Sequence, residues 1–109
     1  MKPKRGEVWW VNFDPSLGSE IQKVRPAVII SNDISNKYLD RFQVIPLTSQ
    51  IDRIYPGEVL ISLGRKQGKV MANQITTVSL FRMDKKLTTV SKRDLLAVEQ
   101  AIKLQIGLL

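Results

Sequence analysis

The tightest constraint in this chain is the run PAVIIS, residues 26–31, in which apolar residues follow one another from Pro26 to Ile30. A short unbroken run rich in β-branched residues reads as a strand covered on both faces. The segment EVWWVNF, 7–13, makes the same demand. Val8, Trp10 and Asn12 point one way; Trp9, Val11 and Phe13 point the other. Both faces are largely apolar, so both need cover, and a flat one-sided sheet is ruled out.

Further strands are expected at FQVIPLT (42–48), EVLIS (58–62), VMANQITTVS (70–79, extended) and LTTV (87–90). Pro46 lacks an N–H and is expected at a bulge or a sheet edge. DPSLGSEIQK, 14–23, reads as a long loop of the kind that is functional or mobile in compact domains. NDISNKYLDR, 32–41, is turn-rich with room for one helical turn, with Asn32 and Asp33 as caps. LGRKQGK and FRMDKK read as turns. The end differs: Ser91 and Asp94 frame SKRD, a capping box. Leu95, Val98, Ile102, Ile106 and Leu109 then recur at helical spacing. Short, closely spaced strands with one closing amphipathic helix predict a mainly β (α+β) fold, a small antiparallel β-barrel with a C-terminal helix.

A length of 109 residues fits one domain, and 43% hydrophobic residues suffice for one core. With no cysteine, disulfides and thiolate metal sites are unavailable, which suits a reducing cytoplasm. No apolar run reaches a membrane span, and MKPKRGEVWW lacks the apolar stretch of a signal peptide. The net charge of +7 is uneven: residues 1–52 hold seven basic and six acidic residues, and 53–109 hold ten and four. Such a field attracts a polyanion or an acidic protein.

If strands 26–31 and 42–48 pair antiparallel with flush ends, residue 31 faces 42 and Arg25 faces Thr48. A guanidinium beside a hydroxyl suits a phosphate. Cleavage of RNA by its own 2′-hydroxyl needs in-line placement and stabilisation of charge on the phosphoryl oxygens. There is no histidine, which excludes a histidine-pair ribonuclease. The ten carboxylates are scattered, which disfavours a metal nuclease. An arginine–hydroxyl scheme is left, with Glu20 or a backbone group assisting. By residue pattern alone, an arginine at a strand entrance and a turn-capping Thr48–Ser49 pair is the weightier reading.

The balance changes with RGEVWWVNFDPSLGSEIQKVRPAVIISND (5–33), PLTSQI (46–51) and KRDLLAVEQAIKLQIGL (92–108). In order and spacing these blocks resemble the MazF/PemK family of toxin endoribonucleases. The resemblance implies an SH3-like barrel acting as a homodimer. It implies metal-free cleavage of single-stranded RNA at short sequences, without cofactor, leaving a 2′,3′-cyclic phosphate and a 5′-hydroxyl. It implies a cognate antitoxin whose acidic disordered tail fills the RNA groove, with operator DNA bound only through that complex. Carried over, Arg25 and Thr48 match the catalytic pair. Ser19, Glu20 and Gln22 match the loop bordering the site, and Ser49, Gln50, Asn73, Gln74 and Thr76 the substrate contacts. The chain departs from the family at NQITTVS, with Thr76 where many members carry arginine and Asn73 where some carry an acid.

Trp9 and Trp10 are candidates for base stacking, with core the simpler assignment for at least one. Lys66, Lys69, Arg82, Lys85 and Lys86 are candidates for RNA steering, against an ordinary solvated face. Arg82, six residues past Thr76, is not expected to replace the missing arginine directly. Phe81 and Met83 fit a dimer surface, an antitoxin contact or the core. Two other functions stay open: a catalytically impaired relative that only binds, and a gyrase poison on the same fold. The latter depends on C-terminal residues including aromatic ones, which IGLL lacks.

Overall fold

In the computed structural model, which describes residues 2–15, 18, 20 and 23–109, nine regular elements run in chain order. They are β1 (Glu7–Asn12), β2 (Val24–Ile29), α1 (Asp33–Tyr38), β3 (Arg41–Thr48), β4 (Glu58–Leu63), β5 (Lys66–Met71), β6 (Thr76–Ser79), β7 (Met83–Thr89) and α2 (Lys92–Gln105). Short 3₁₀ turns, Ala72–Gln74 and Leu80–Arg82, flank β6. The strands form one curled antiparallel sheet in the order β4-β5-β3-β2-β1-β7, with β6 also on β3. The mainly β fold with a closing helix is the one expected.

The two apolar runs behave as their composition requires. Val8, Val28, Ile45 and Leu47 lie in one core cluster with Ile61 and Val70 of the β4–β5 hairpin and Val98 and Ala101 of α2. Trp9, Val11, Phe13, Ala27, Ile29, Phe42, Val44 and Val78 form a second cluster. Alternation along β1, β2 and β3 sends successive side chains to opposite clusters, so the sheet is buried on both faces at its centre. The helix covers one cluster. Curling of the sheet with β6 and its flanking turns covers the other, with Leu80 and Met83 packed against it.

Pro46 corrects one expectation, since it lies in the central strand and is buried. Gln43 turns both backbone groups toward β2: its carbonyl accepts Ile30 N–H at 2.9 Å and its N–H donates to Ser31 Oγ at 3.2 Å. Alternation then points residues 44, 46 and 48 away from β2. On that side β3 pairs with β6 up to Val44 and with β5 from Leu47 onward. The proline's missing N–H falls at the seam where β3 changes partners, so no ladder bond is lost.

KQGK, expected in a turn, joins the extended Val70 and Met71 in one strand, β5. The hairpin turn is only Gly64–Arg65, between the paired Leu63 and Lys66. Gly64 sits at φ +70°, which suits the first central position of a primed two-residue turn. MDKK likewise belongs to β7, whose pairing with β1 is interrupted by register shifts. Arg25 is the second residue of β2, which starts at Val24 rather than Pro26.

The capping expectation for α2 holds in part. Ser91 Oγ accepts Asp94 N–H at 3.1 Å, while the Asp94 carboxylate reaches across to Ser62 N–H at 3.0 Å. That bond docks the helix start onto β4. Leu95, Val98 and Ile102 face the core, but Ile106 and Leu109 are exposed because the helix ends at Gln105. Asn32 caps α1 through Ser35 N–H at 2.8 Å. Buried Asn36 holds Ser31 from both sides, accepting from its Oγ at 2.5 Å and donating to its carbonyl at 2.9 Å. The Arg5 guanidinium donates to the Ile30 carbonyl and pairs with Glu99, joining the end of β2 to α2.

Candidate active site

The β2–β3 pairs are Ala27↔Pro46, Val28↔Ile45 and Ile29↔Val44. Each pair of numbers has the same sum as 25 and 48, so the register continued by two residues sets Arg25 opposite Thr48. On their other sides Arg25 pairs with Val11 and Thr48 with Lys69. Both residues line one cleft of about 650 Å³ at the strand ends. Its wall also carries Trp10, Lys23, Val24, Pro26, Ser49, Arg65, Lys66, Gln67 and Leu87. Among the described residues four cations and no carboxylate line it, so its field favours an anion.

Arg25 is half-buried, and so is Thr48. Thr48 Oγ1 accepts the Gln50 N–H at 3.2 Å, the ordinary turn-capping bond of a hydroxyl. That bond fixes the oxygen while leaving the hydroxyl hydrogen as a donor, so capping and phosphate binding are compatible. Gln50 contributes this N–H at the turn, whereas Ser49 lines the cleft.

A second cleft of about 390 Å³ is lined by Phe13, Pro15, Glu20, Asn73, Gln74, Ile75, Thr76, Thr77, Val78 and Arg82. Four expected substrate contacts, Glu20, Asn73, Gln74 and Thr76, thus gather here, apart from the lining of the Arg25–Thr48 cleft. Ser19 and Gln22 lie outside the described residues. Arg82 also lines this cleft despite its distance in sequence from Thr76, and its Nη1 donates to the Asn12 and Asp14 carbonyls.

The steering candidates separate on inspection. Lys69 is buried, bonded to Glu58 Oε1 and the Arg53 carbonyl at 3.2 and 3.0 Å. Lys86 pairs with Glu7 at 3.1 Å. Lys66 lines the cationic cleft, and Lys85 is exposed on β7. Trp9 is core, its Nε1 donating to Glu7 Oε1 at 3.0 Å, and Trp10 is half-buried on the cleft wall. Phe81 is 95% exposed and Met83 half-buried. Lys23, Arg65 and Gln67 went unassigned from sequence. The signal that could have found Arg65 is its place in the tight turn at Gly64, directly beside the steering candidate Lys66.

Two carboxylates outside the clefts titrate low. Burial acts to raise the Glu7 carboxyl, but hydrogen bonds from Trp9, the Lys4 N–H and Lys86, together with the Lys86 charge, bring it below its ordinary value. The Arg5 N–H, donating at 2.8 Å, and then Asn36 hold Asp33 low. Among the described residues no three His, Cys, Asp or Glu side chains cluster as a metal centre would need. No helix among the described residues is long and apolar enough to cross a membrane.

Fold and site together define a small α+β protein, a curled antiparallel sheet closed by a C-terminal helix, with a cationic cleft at its strand ends. Comparison with known proteins narrows this. The chain belongs to the PemK-like, MazF-like toxins of type II toxin–antitoxin systems, whose family model matches residues 4–106. The endoribonuclease MazF9 of Mycobacterium tuberculosis is 36% identical over 114 residues, covering 96% of this chain and 97% of its own. The endoribonuclease MazF of Staphylococcus saprophyticus is 34% identical over 110 residues, covering 96% and 92%. The crystal structure of MazF from Deinococcus radiodurans superposes with a TM-score of 0.88 at 28% identity, covering 98% of each chain.

Proposed function

We propose that this chain, 1–109 acting as one toxin domain, is a sequence-specific endoribonuclease cleaving single-stranded RNA in the cytoplasm without a metal ion. The carrying observation is that Arg25 and Thr48, two residues beyond the last β2–β3 pair, line one cleft together with Lys23, Arg65 and Lys66. The 2′-hydroxyl oxygen attacks the adjacent phosphorus, the P–O5′ bond breaks, and a 2′,3′-cyclic phosphate and a 5′-hydroxyl result. The 2′ proton leaves to a general base, and the 5′ oxygen takes up a proton. Arg25 stabilises the charge that gathers on the phosphoryl oxygens, and the Thr48 hydroxyl donates to one of them. Lys23, Arg65 and Lys66 hold the flanking phosphates, and Trp10 offers a face for a base. Asn73, Gln74 and Thr76, with Glu20, read bases in the second cleft.

The partners follow from the same chemistry. A cationic cleft that holds RNA also attracts an acidic peptide, so a cognate antitoxin fits as its competitor. The family description names a toxin–antitoxin system, and a MazE–MazF structure from Deinococcus radiodurans superposes with a TM-score of 0.78 at 25% identity. The exposed apolar residues Leu104, Ile106, Leu108 and Leu109 suit a homodimer contact.

The test is incubation with a long, weakly structured RNA in EDTA, beside Arg25→Ala and Thr48→Ala, with ends mapped by primer extension. Discrete cuts that survive EDTA and vanish in both variants are expected. RNA binding without cuts would establish a catalytically impaired relative. Cuts indifferent to Arg25→Ala would place the chemistry elsewhere.

A further inference from the structure

We propose that Arg82 is a positioning residue for Arg25, acting through the paired ends of β1 and β2. The inference rests on the ribonuclease reading above. Arg82 ends the 3₁₀ turn after β6. That turn is pinned to the start of β3, with Leu80 N–H donating to the Asp40 carbonyl at 2.9 Å and Arg41 pairing with Ser79. From this anchored base the Arg82 Nη1 reaches the end of β1. It donates to the Asn12 carbonyl at 3.0 Å and to the Asp14 carbonyl.

Those carbonyls belong to a closed clamp. Asp14 N–H donates to Asn12 Oδ1 at 3.0 Å, and Asp14 Oδ1 accepts the Lys23 N–H at 2.8 Å. Phe13 N–H donates to the Lys23 carbonyl at 2.9 Å. Lys23 has φ +68°, a left-handed conformation that a lysine adopts only when its surroundings hold it there. Two residues on stands Arg25. Arg82 therefore holds Asp14, Asp14 holds Lys23, and Lys23 sets where β2 begins. Arg25 lies in the part of β2 beyond its last pair with β3, Ala27↔Pro46, so this clamp secures it where the β2–β3 ladder has ended. Arginine suits the task because its fork stays charged and donates to two carbonyls at once.

A catalytic group displaced by about 1 Å can lose on the order of 100-fold in rate. The experiment compares wild type, Arg82→Gln, Arg82→Lys, Asp14→Asn and Arg25→Ala on a short RNA bearing one mapped cut site. Amide exchange at Phe13 and Lys23 is followed by NMR. Expected for Arg82→Gln is a kcat about 10- to 100-fold lower with KM within about twofold, and faster exchange at Lys23. Arg82→Lys, which keeps a charged donor on a shorter, unforked side chain, should recover part of the rate. Asp14→Asn, which weakens the same clamp, should lower kcat if Arg82→Gln fails to fold. Unchanged kcat and unchanged Lys23 protection in these variants would overturn the proposal. So would a raised KM at constant kcat, which would place Arg82 on the RNA itself. If Arg25→Ala cleaves as wild type does, the catalytic role given to Arg25 fails, while the exchange data still decide whether Arg82 holds the clamp.

Discussion

Lys69 provides a quantitative test of how the strand that carries Thr48 is supported. It is 9% exposed, sits opposite Thr48 in the β3–β5 register, and bonds Glu58 and the Arg53 carbonyl. Glu58 Oε1 also accepts the Tyr55 N–H at 2.8 Å. Lys69→Met keeps most of the apolar stem but leaves the Glu58 carboxylate without its cation. Breaking a buried pair from one side costs about 3–5 kcal/mol. The side chains here keep 11% and 15% exposure, so a cost below that of a fully buried pair, about 2–3 kcal/mol, is expected. Glu58→Gln retains an acceptor for Tyr55 and leaves Lys69 its bond to Arg53, so about 1–2 kcal/mol is expected. The double variant removes both charges and should lose less than the sum, with a coupling of about 1–2 kcal/mol. The assay is urea unfolding at fixed protein concentration, followed by the fluorescence of Trp9 and Trp10. A loss of about 2 kcal/mol corresponds to a Tm drop of roughly 10 °C for a chain of this size. Additive single variants, or a Lys69→Met protein within about 0.5 kcal/mol of wild type, would refute the reasoning.

A Cβ on Gly68 would lie 2.8 Å from Leu47 Cδ2 and 2.9 Å from Leu63 Cδ1, so Gly68→Ala should cost about 1–3 kcal/mol in denaturant unfolding. It should also disturb cleavage, since Leu47 precedes Thr48. Arg65→Ala and Lys66→Ala should weaken RNA binding with fold intact, each reducing the log–log salt slope by about 0.7 for a single strand, read by fluorescence anisotropy. Asp33 and Glu7 are held below their ordinary values of 3.8 and 4.5, so the stability they add is present above those values and is lost as pH falls through the lowered ones. Accordingly, Asp33→Asn should melt below wild type at pH 7, and the gap should close in acid; a gap independent of pH would contradict the assignment.

What could be read in the chain beforehand depended on how local the information was. The closing helix was legible because a Ser91 cap and an apolar 3.6-residue spacing are written in consecutive residues. The β2–β3 register was only an assumption of flush strand ends, and the observed pairs Ala27↔Pro46, Val28↔Ile45 and Ile29↔Val44 agree with it. β5 was missed because KQGK carries three polar side chains and a glycine, with no local β preference. It becomes a strand through its six-residue pairing with β4. Pro46 was misplaced because only the tertiary seam between β6 and β5 lets a central strand dispense with an N–H.

The sequence by itself determined a two-faced apolar sheet with a capping helix, a basic surplus toward the C-terminal half, and a chain with no histidine or cysteine chemistry. These are properties of composition and short-range periodicity, and they survive any arrangement of the loops. Tertiary structure alone decided which cations face the cleft. It drew Lys69 and Lys86 into ion pairs, left Lys23, Arg65 and Lys66 beside Arg25, and gathered Glu20, Asn73, Gln74 and Thr76 around Arg82 in a separate cleft. A charge becomes structural or available according to which strand ends meet, and that is set by long-range strand pairing, which no window of neighbouring residues encodes.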